Sequence, residues 1–229
     1  RVNKEECDRL SRIRFETYKD YVKGDEGIED LDIKYKLLKG YCNKMTQNNY
    51  ELRMVYKYGN DKDEGRIFVK EKIGLQRIWK KFRGLLSEGI YLDYDMINAH
   101  PCILLYICKN SSILNAYSLQ RYINDRKMIL NELHESDNIG LKDGKLLFIR
   151  SINSSNSIRR HKNKLIKNKF FLEYDKEIKS IQELFIIKEN NLLNKLGKKI
   201  KKDNIGGCLL NYLLCKYENI ILQKVIKYT

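Results

Sequence analysis

The sequence predicts a predominantly helical α+β fold with a small antiparallel sheet, on three observations. Apolar residues recur at helical spacing through most of the 229 residues. One stretch, Tyr50–Tyr58, alternates instead, with Leu52, Met54, Tyr56 and Tyr58 on one face, as a strand requires. One short run, Ile90–Met96, is strand-like and carries Asp93 and Asp95 at alternate positions, so their side chains share a face.

The elements follow in order. Residues 1–41 read as helix, since Leu10, Ile13, Tyr18, Tyr21 and Val22 keep helical spacing before a turn at Lys23-Gly24-Asp25. After the strand at 50–58, the polar run Gly59–Gly65 is a turn, and Arg66–Val69 returns as a hairpin partner. Gly74–Leu86 reads as a connector carrying Arg77, Lys80, Lys81 and Arg83, with Trp79 a packing residue. Beyond the acidic strand, Pro101–Cys108 opens a buried helix, with Pro suited to the first turn. Helices are predicted near 117–135 and 141–152, then a polar break at Asn153–Ser157, a long helical pattern over about 162–191, and a last amphipathic helix over 207–228. No internal repeat or linker is evident, so a single domain over 1–229 is expected. Its parts are a helical 1–49, a strand-rich 50–110 and a helical, basic 111–229.

Charge is the strongest global feature. Forty-five basic residues against thirty acidic ones give +15. Between Lys142 and Lys169 the bases are Lys142, Lys145, Arg150, Arg159, Arg160, Lys162, Lys164, Lys167 and Lys169, against Asp143 alone. A second cluster runs Lys195, Lys198, Lys199, Lys201 and Lys202. Such a surface attracts phosphate backbones by steering and counterion release. The plainer reading is a solvated face in a Lys- and Asn-rich composition.

No uncharged apolar run approaches the ~18 residues of a membrane span, so no membrane partner is expected. The start, Arg1–Leu10, is charged throughout and lacks a signal-peptide core. It also lacks an initiator Met, which fits a processed product or a piece of a longer protein. Six scattered cysteines form no C-x-x-C pair, which argues against a zinc ribbon or a redox motif and for an intracellular, reducing compartment. No phosphate-loop motif occurs, and Gly206-Gly207 is too short to count as one.

The segment that carries chemistry is Tyr91-Leu92-Asp93-Tyr94-Asp95-Met96-Ile97-Asn98-Ala99-His100-Pro101. Carboxylates at the end of an apolar strand are costly unless they face solvent, a partner or a metal. Mg²⁺ takes oxygen ligands, usually one or two carboxylates plus phosphate oxygens, which makes Asp95 and Asp93 its candidate ligands. The plainer readings are solvated acids, a helix-capping Asn98 and a packed His100. His134 and His161 read as surface residues.

Asp95-Met96-Ile97-Asn98-Ala99-His100-Pro101-Cys102-Ile103-Leu104 resembles the A motif of family B DNA polymerases, in which a metal-binding Asp precedes a Pro-opened apolar helix. Gly65-Arg66, Leu75-Gln76 and Arg77 or Arg83 are similar to residues that precede the catalytic strand in viral, plasmid and family A polymerases. Leu210-Asn211 and Glu218 are similar to a late helix of family A enzymes. The resemblance implies a palm-like sheet with helical additions, a Mg²⁺ cofactor at Asp95 and Asp93, and nucleotidyl transfer to a primer 3′ end. It places His100, with Asn98 nearby, beneath the incoming sugar. Lys145, Arg150 and Arg159 become contacts to triphosphate or template phosphates, with Lys142 another candidate, and the density of the basic run makes Arg160, Lys162 and Lys164, with Arg77 and Arg83, the candidate nucleic-acid contacts. DNA is favoured over RNA, in replication of a virus, plasmid or mobile element.

The sequence departs from the pattern at two motifs. Asn153-Ser154 is preceded by Ile149 where the fingers-helix motif has Lys, and the second metal-binding carboxylate hairpin is absent. Without it the two-ion clamp is incomplete. Two alternatives therefore stay open. One is a non-enzymatic replication accessory protein; the other is a metal-dependent nuclease that gathers further acids such as Glu132, Glu135 or Glu173.

Overall fold

The computed structural model describes residues 1–23, 30–58, 66–70, 73–91, 96–111 and 116–228. Among them the fold is α+β and mostly helical: α1 Lys4–Ser11, α2 Phe15–Val22, α3 Leu31–Gln47, β1 Tyr56–Tyr58, β2 Ile67–Val69, α4 Lys80–Ser87, α5 Ala99–Asn110, α6 Tyr117–Asn124, α7 Arg126–Asp137, α8 Leu141–Asn153, β3 Arg160–His161, β4 Lys164–Leu165, α9 Lys169–Lys188, α10 Asn190–Leu196 and α11 Ile205–Tyr228. The described strands make two separate pairs, β1 with β2 and β3 with β4, and no larger sheet. The chain gathers into two compact units, Arg1–Lys57 with Ile67–Asp95, and Tyr58–Arg66 with Met96–Thr229. The strand-rich part expected at 50–110 is thus shared between two units.

The first unit is built on short amphipathic helices. Asn3 caps α1 by accepting from the Glu6 amide at 3.1 Å, a usual role for Asn at a helix start. Cys7 and Leu10 of α1, Tyr18 and Val22 of α2, Leu38, Tyr41, Cys42 and Met45 of α3, and Phe82 and Leu86 of α4 form its core, with Tyr18 stacked on Phe82 at 5.1 Å. Both Cys7 and Cys42 are free thiols filling core volume, as a small apolar side chain would.

Two expectations change here. The strand read at Tyr50–Tyr58 shrinks to β1, because Tyr50 is held elsewhere. Its hydroxyl donates to Asp8 Oδ1 at 2.7 Å and its carbonyl accepts from the Val2 amide at 3.1 Å. The connector read at Gly74–Leu86 is instead a 3-10 turn, Leu75–Arg77, followed by α4, whose Phe82 and Leu86 are four residues apart on one buried face. The run predicted as a strand over Ile90–Met96 lies mostly outside the described residues, which leave out Leu92 to Asp95 and so both aspartates. Just before it the chain turns, with the Ile90 and Tyr91 amides donating to Ser87 O at 3.1 and 3.0 Å.

The second unit is a helical assembly around stacked aromatics. Tyr122 of α6 lies 4.0 Å from Phe148 of α8, and Tyr174 and Phe171 of α9 meet the same ring edge-on at 4.8 and 5.2 Å. Helix α5 opens as predicted, with Pro101 in its first turn and Ile103, Leu104, Leu105, Ile107 and Cys108 buried. The helix read at 117–135 breaks at Asp125 into α6 and α7. The pattern read over about 162–191 starts later, at α9, because β3 and β4 form a hairpin ahead of it. Lys162 and Asn163 join the two strands with φ of +46° and +66°, the pair of positive values a two-residue type I′ turn requires.

The polar break after α8 is where this unit is tied together. A helix leaves its last carbonyls without intrahelical partners. Here Lys179 Nζ donates to Ser151 O and Ser154 O, both at 2.7 Å, and Gln182 Nε2 donates to Ile152 O at 2.8 Å and Ser154 O at 3.1 Å. Asn204 Nδ2 donates to Asn153 O at 2.9 Å. Asp175, 1% exposed, accepts from Ser151 Oγ at 2.7 Å and from the Ile158 amide at 3.0 Å, with Lys179 Nζ 3.2 Å away. The glycine pair has its explanation in the same place. A Cβ on Gly207 would overlap the Asn153 carbonyl and Asn204 Oδ1, and one on Gly206 would meet Gln182.

Removing the carboxylate takes the counter-charge from Lys179 and leaves the Ser151 hydroxyl and the Ile158 amide without their acceptor in a dry setting. Asp175→Ala is expected to cost about 3–5 kcal/mol, the range for breaking a buried ion pair on one side, read as a lower urea midpoint. Gly207→Ala is expected to cost about 1–3 kcal/mol or more in the same assay, because rigid backbone blocks the added methyl.

Candidate functional site

Two groups of polar residues stand out in the second unit. The first lies where α5 meets α11. Asn98 precedes α5 with φ of +58°, a left-handed conformation Asn tolerates, and its side chain makes no cap hydrogen bond. The expected capping role is therefore not the one it plays. Its Nδ2 is buried without a hydrogen-bond partner among the described residues. In the first turn of α5, His100 is packed so that its side chain is 13% exposed. Its Nε2 lies 3.8 Å from Glu218 Oε2, too far for a hydrogen bond, and is likewise buried without a partner among the described residues.

Glu218 and Cys215 sit three residues apart on α11 and so share a face. Arg66 Nε donates to Glu218 Oε2 at 3.3 Å from the exposed side. One ring nitrogen of His100, the Cys215 sulfur and a Glu218 carboxylate oxygen all fall within 4.8 Å of one another. Burial pushes the His100 pKa down, the Glu218 charge opposes this, and the Arg66 charge reinforces it. Burial also raises the Cys215 thiol. The corner therefore favours a neutral imidazole and a protonated thiol beside an ion-paired carboxylate.

The second group is the flank of α8 and the β3–β4 hairpin. Asp143, in the first turn of α8, accepts from Lys162 Nζ at 2.8 Å, with His161 Nε2 at 3.4 Å. The hydrogen bond from Lys162 is the main cause holding Asp143 below the usual carboxylate range, with the His161 charge adding to it. At the other end of the hairpin, the Ile158 amide reaches Asp175, which also binds Ser151 late in α8. The hairpin thus runs beside α8, turn toward its start and open end toward its finish. Two more bonds hold its base, from the Lys167 and Asn168 amides to the Asp137 carboxylate at 2.7 and 2.9 Å. Beneath it lies a small cavity of about 110 Å³ lined by Asp137, Asp143, His161 and Ile166.

The predicted residues are distributed as follows. Lys145 and Arg150 are exposed on α8, where their five-residue spacing sets them about 140° apart around the helix, and Arg159, Arg160, Lys162 and Lys164 are exposed on or beside the hairpin. Arg77 and Arg83 are exposed in the first unit, on the 3-10 turn and on α4. Asp93 and Asp95 lie outside the described residues. His161, read as a surface residue, is half-buried against Asp143. Sequence reasoning missed Cys215 as a neighbour of His100. The spacing Cys-x-x-Glu on an amphipathic helix is the only local signal, and its His partner comes from a distant helix.

These features define a class: a basic, mainly helical α+β protein with a cationic hairpin and a half-buried His–Cys–Glu corner. Neither a protein-family model nor a solved structure matches the chain. Among curated proteins it is similar to one from Sputnik virophage described as "Putative helicase V13", 24% identical over 219 residues. That alignment takes in 89% of this chain and 28% of the virophage protein, so the chain spans little more than a quarter of its relative's length.

The His100 shift has a consequence for stability. An unfolded histidine protonates near pH 6.5, as roughly tabulated for free imidazole side chains, while the folded one resists. The unfolded state then binds more protons, and stability falls as pH drops from that value toward the folded pKa. In His100→Gln this share of the loss disappears. Urea melts of both proteins at about pH 7.5 and about pH 5.5 are expected to show a smaller pH dependence for the variant.

Proposed function

We propose that this chain is a nucleic-acid-binding part of a replication protein from a virus or mobile element. The observation that carries this reading is the dense basic run from Lys142 to Lys169, displayed on α8 and the hairpin with its backbone held by Asp137 and Asp175. A rigid ribbon with cationic side chains is a surface that a phosphate chain can follow, releasing counterions as it binds. The likeness to a virophage protein described as a helicase, extending along nearly all of this chain, supports the same setting.

The finer proposal is Mg²⁺-dependent nucleotidyl transfer to a primer 3′ end. Asp95 and Asp93 are an oxygen-only pair of the kind Mg²⁺ takes, and the bound ion would neutralise charge on a triphosphate. In this reading Lys145, Arg150 and Arg159 bind phosphates, while His100 and Asn98 line the approach of the sugar. Catalysis would then come from positioning and charge stabilisation. The description of the virophage relative favours a second reading, in which the chain binds nucleic acid and performs no transfer itself.

Primer extension and strand binding separate the two. Asp95→Ala is expected to lower Mg²⁺-dependent extension by about a hundredfold or more, since a bound metal supplies several kcal/mol, while leaving binding to a primer–template unchanged. No extension by the unaltered chain would remove the transfer proposal and leave the binding one. For binding, Arg160→Ala with Lys164→Ala is expected to reduce the slope of log affinity against log salt by about 1–2. An unchanged slope would remove the hairpin from the interface.

A further inference from the structure

The corner between α5 and α11, of which the transfer reading uses His100 but neither Cys215 nor Glu218, carries a further inference. We propose that His100, Cys215 and Glu218 form a binding site for a borderline divalent transition metal, Zn²⁺ above all, with the fourth position open to water or another oxygen ligand.

The geometry is convergent. Three ligand atoms that lie within 4.8 Å of one another share a point no farther than about 2.8 Å from each, the circumradius of such a triangle. Zinc bonds to nitrogen, sulfur and oxygen run about 2.0–2.3 Å. Side-chain adjustments of at most about 0.5–0.8 Å would therefore close the shell. Cys215 and Glu218 are presented together by their spacing on α11, and His100 comes from the opening turn of a helix packed against it.

The donor set is selective. A thiolate and an imidazole suit Zn²⁺ and Co²⁺, while Mg²⁺ and Ca²⁺ favour oxygen-only shells. The corner also contains an unmet need. Nε2 of His100 is buried without a hydrogen-bond partner among the described residues, and coordination through that nitrogen would satisfy it.

Arg66 does not oppose the ion. Binding displaces the thiol proton of Cys215 to solvent, since the thiolate is the ligand. The sum of Zn²⁺, one thiolate and the Glu218 carboxylate is then neutral, so the guanidinium beside Glu218 faces no net positive charge. From its exposed position it can keep its bond to the carboxylate while the other oxygen turns to the metal.

The test uses the whole chain, stripped with a chelator and kept reduced. Co²⁺ is expected to bind with one-to-one stoichiometry and to give a thiolate-to-cobalt charge-transfer band. Zn²⁺ is expected to abolish the band by displacement and to raise the Tm, and Mg²⁺ at equal concentration to leave the band intact. In Cys215→Ser the band is lost. In Glu218→Gln, a partly exposed position that the core does not depend on, the Tm rise shrinks and Co²⁺ affinity falls at least tenfold. Asp95→Ala leaves every one of these readouts unchanged, which keeps this site separate from the proposed Mg²⁺ site. Absence of the band at large Co²⁺ excess, an undiminished band in Cys215→Ser, or unaltered affinity in Glu218→Gln would each overturn the assignment.

Discussion

The second unit depends on how one helix end is satisfied. When α8 stops at Asn153, its terminal carbonyls point into the protein rather than into water, and burying them unpaired would cost about 1–3 kcal/mol apiece. Side chains from the neighbouring helices meet them: Lys179 and Gln182 from α9, and Asn204 just ahead of α11. Three helices are thereby fixed to a single turn of backbone. The residues flanking that turn inherit the constraint. Asp175 holds Lys179, Ser151 and the Ile158 amide together, and burial, offset by Asp175, lowers the Lys179 pKa. Gly207 must be glycine because the Asn153 carbonyl approaches where a side chain would stand, and Gly206 leaves room for the Gln182 side chain that caps the same turn.

That junction also sets up both candidate sites. Its Ile158–Asp175 bond starts the β3–β4 hairpin beside α8, and the Asp143 contact with His161 and Lys162 finishes it. A hairpin of two residues per strand has little stability of its own, so its course rests on these side-chain clamps. The junction likewise sets where α11 begins, and hence which face of it carries Cys215 and Glu218. The apolar core, aliphatic side chains with a stacked aromatic group at Phe148, supplies the bulk of the burial, but the hydrophobic effect is non-directional and would not by itself hold that register.

The two sites differ in kind. The cationic flank is exposed, tolerant in geometry and suited to a polyanion read by charge. The His–Cys–Glu corner is half-buried, built from few atoms and suited to a small ligand held by direction. Nothing in the chemistry of one requires the other, so each stands on its own observations. The virophage likeness bears on the setting of the chain and is silent about the corner.

Much of the helical layout was legible from apolar periodicity, because burying one stripe of a helix imposes that spacing whatever it packs against. Pro101 marked the start of α5, the Asn153–Ser157 break marked the end of α8, and the charge of the 142–169 run could be counted residue by residue. The short α4 was hidden by a pattern too brief to establish a period, and the β3–β4 hairpin by a Lys-Asn turn in place of the usual Asn-Gly. Neither the pairing of Asn153 with Asn204 nor the meeting of His100 with Cys215 and Glu218 could be read in the same way. Periodicity records which face of a helix avoids water. It does not record which other helix that face will meet, and polar contacts between segments far apart in the chain exist only once the core has brought those segments together.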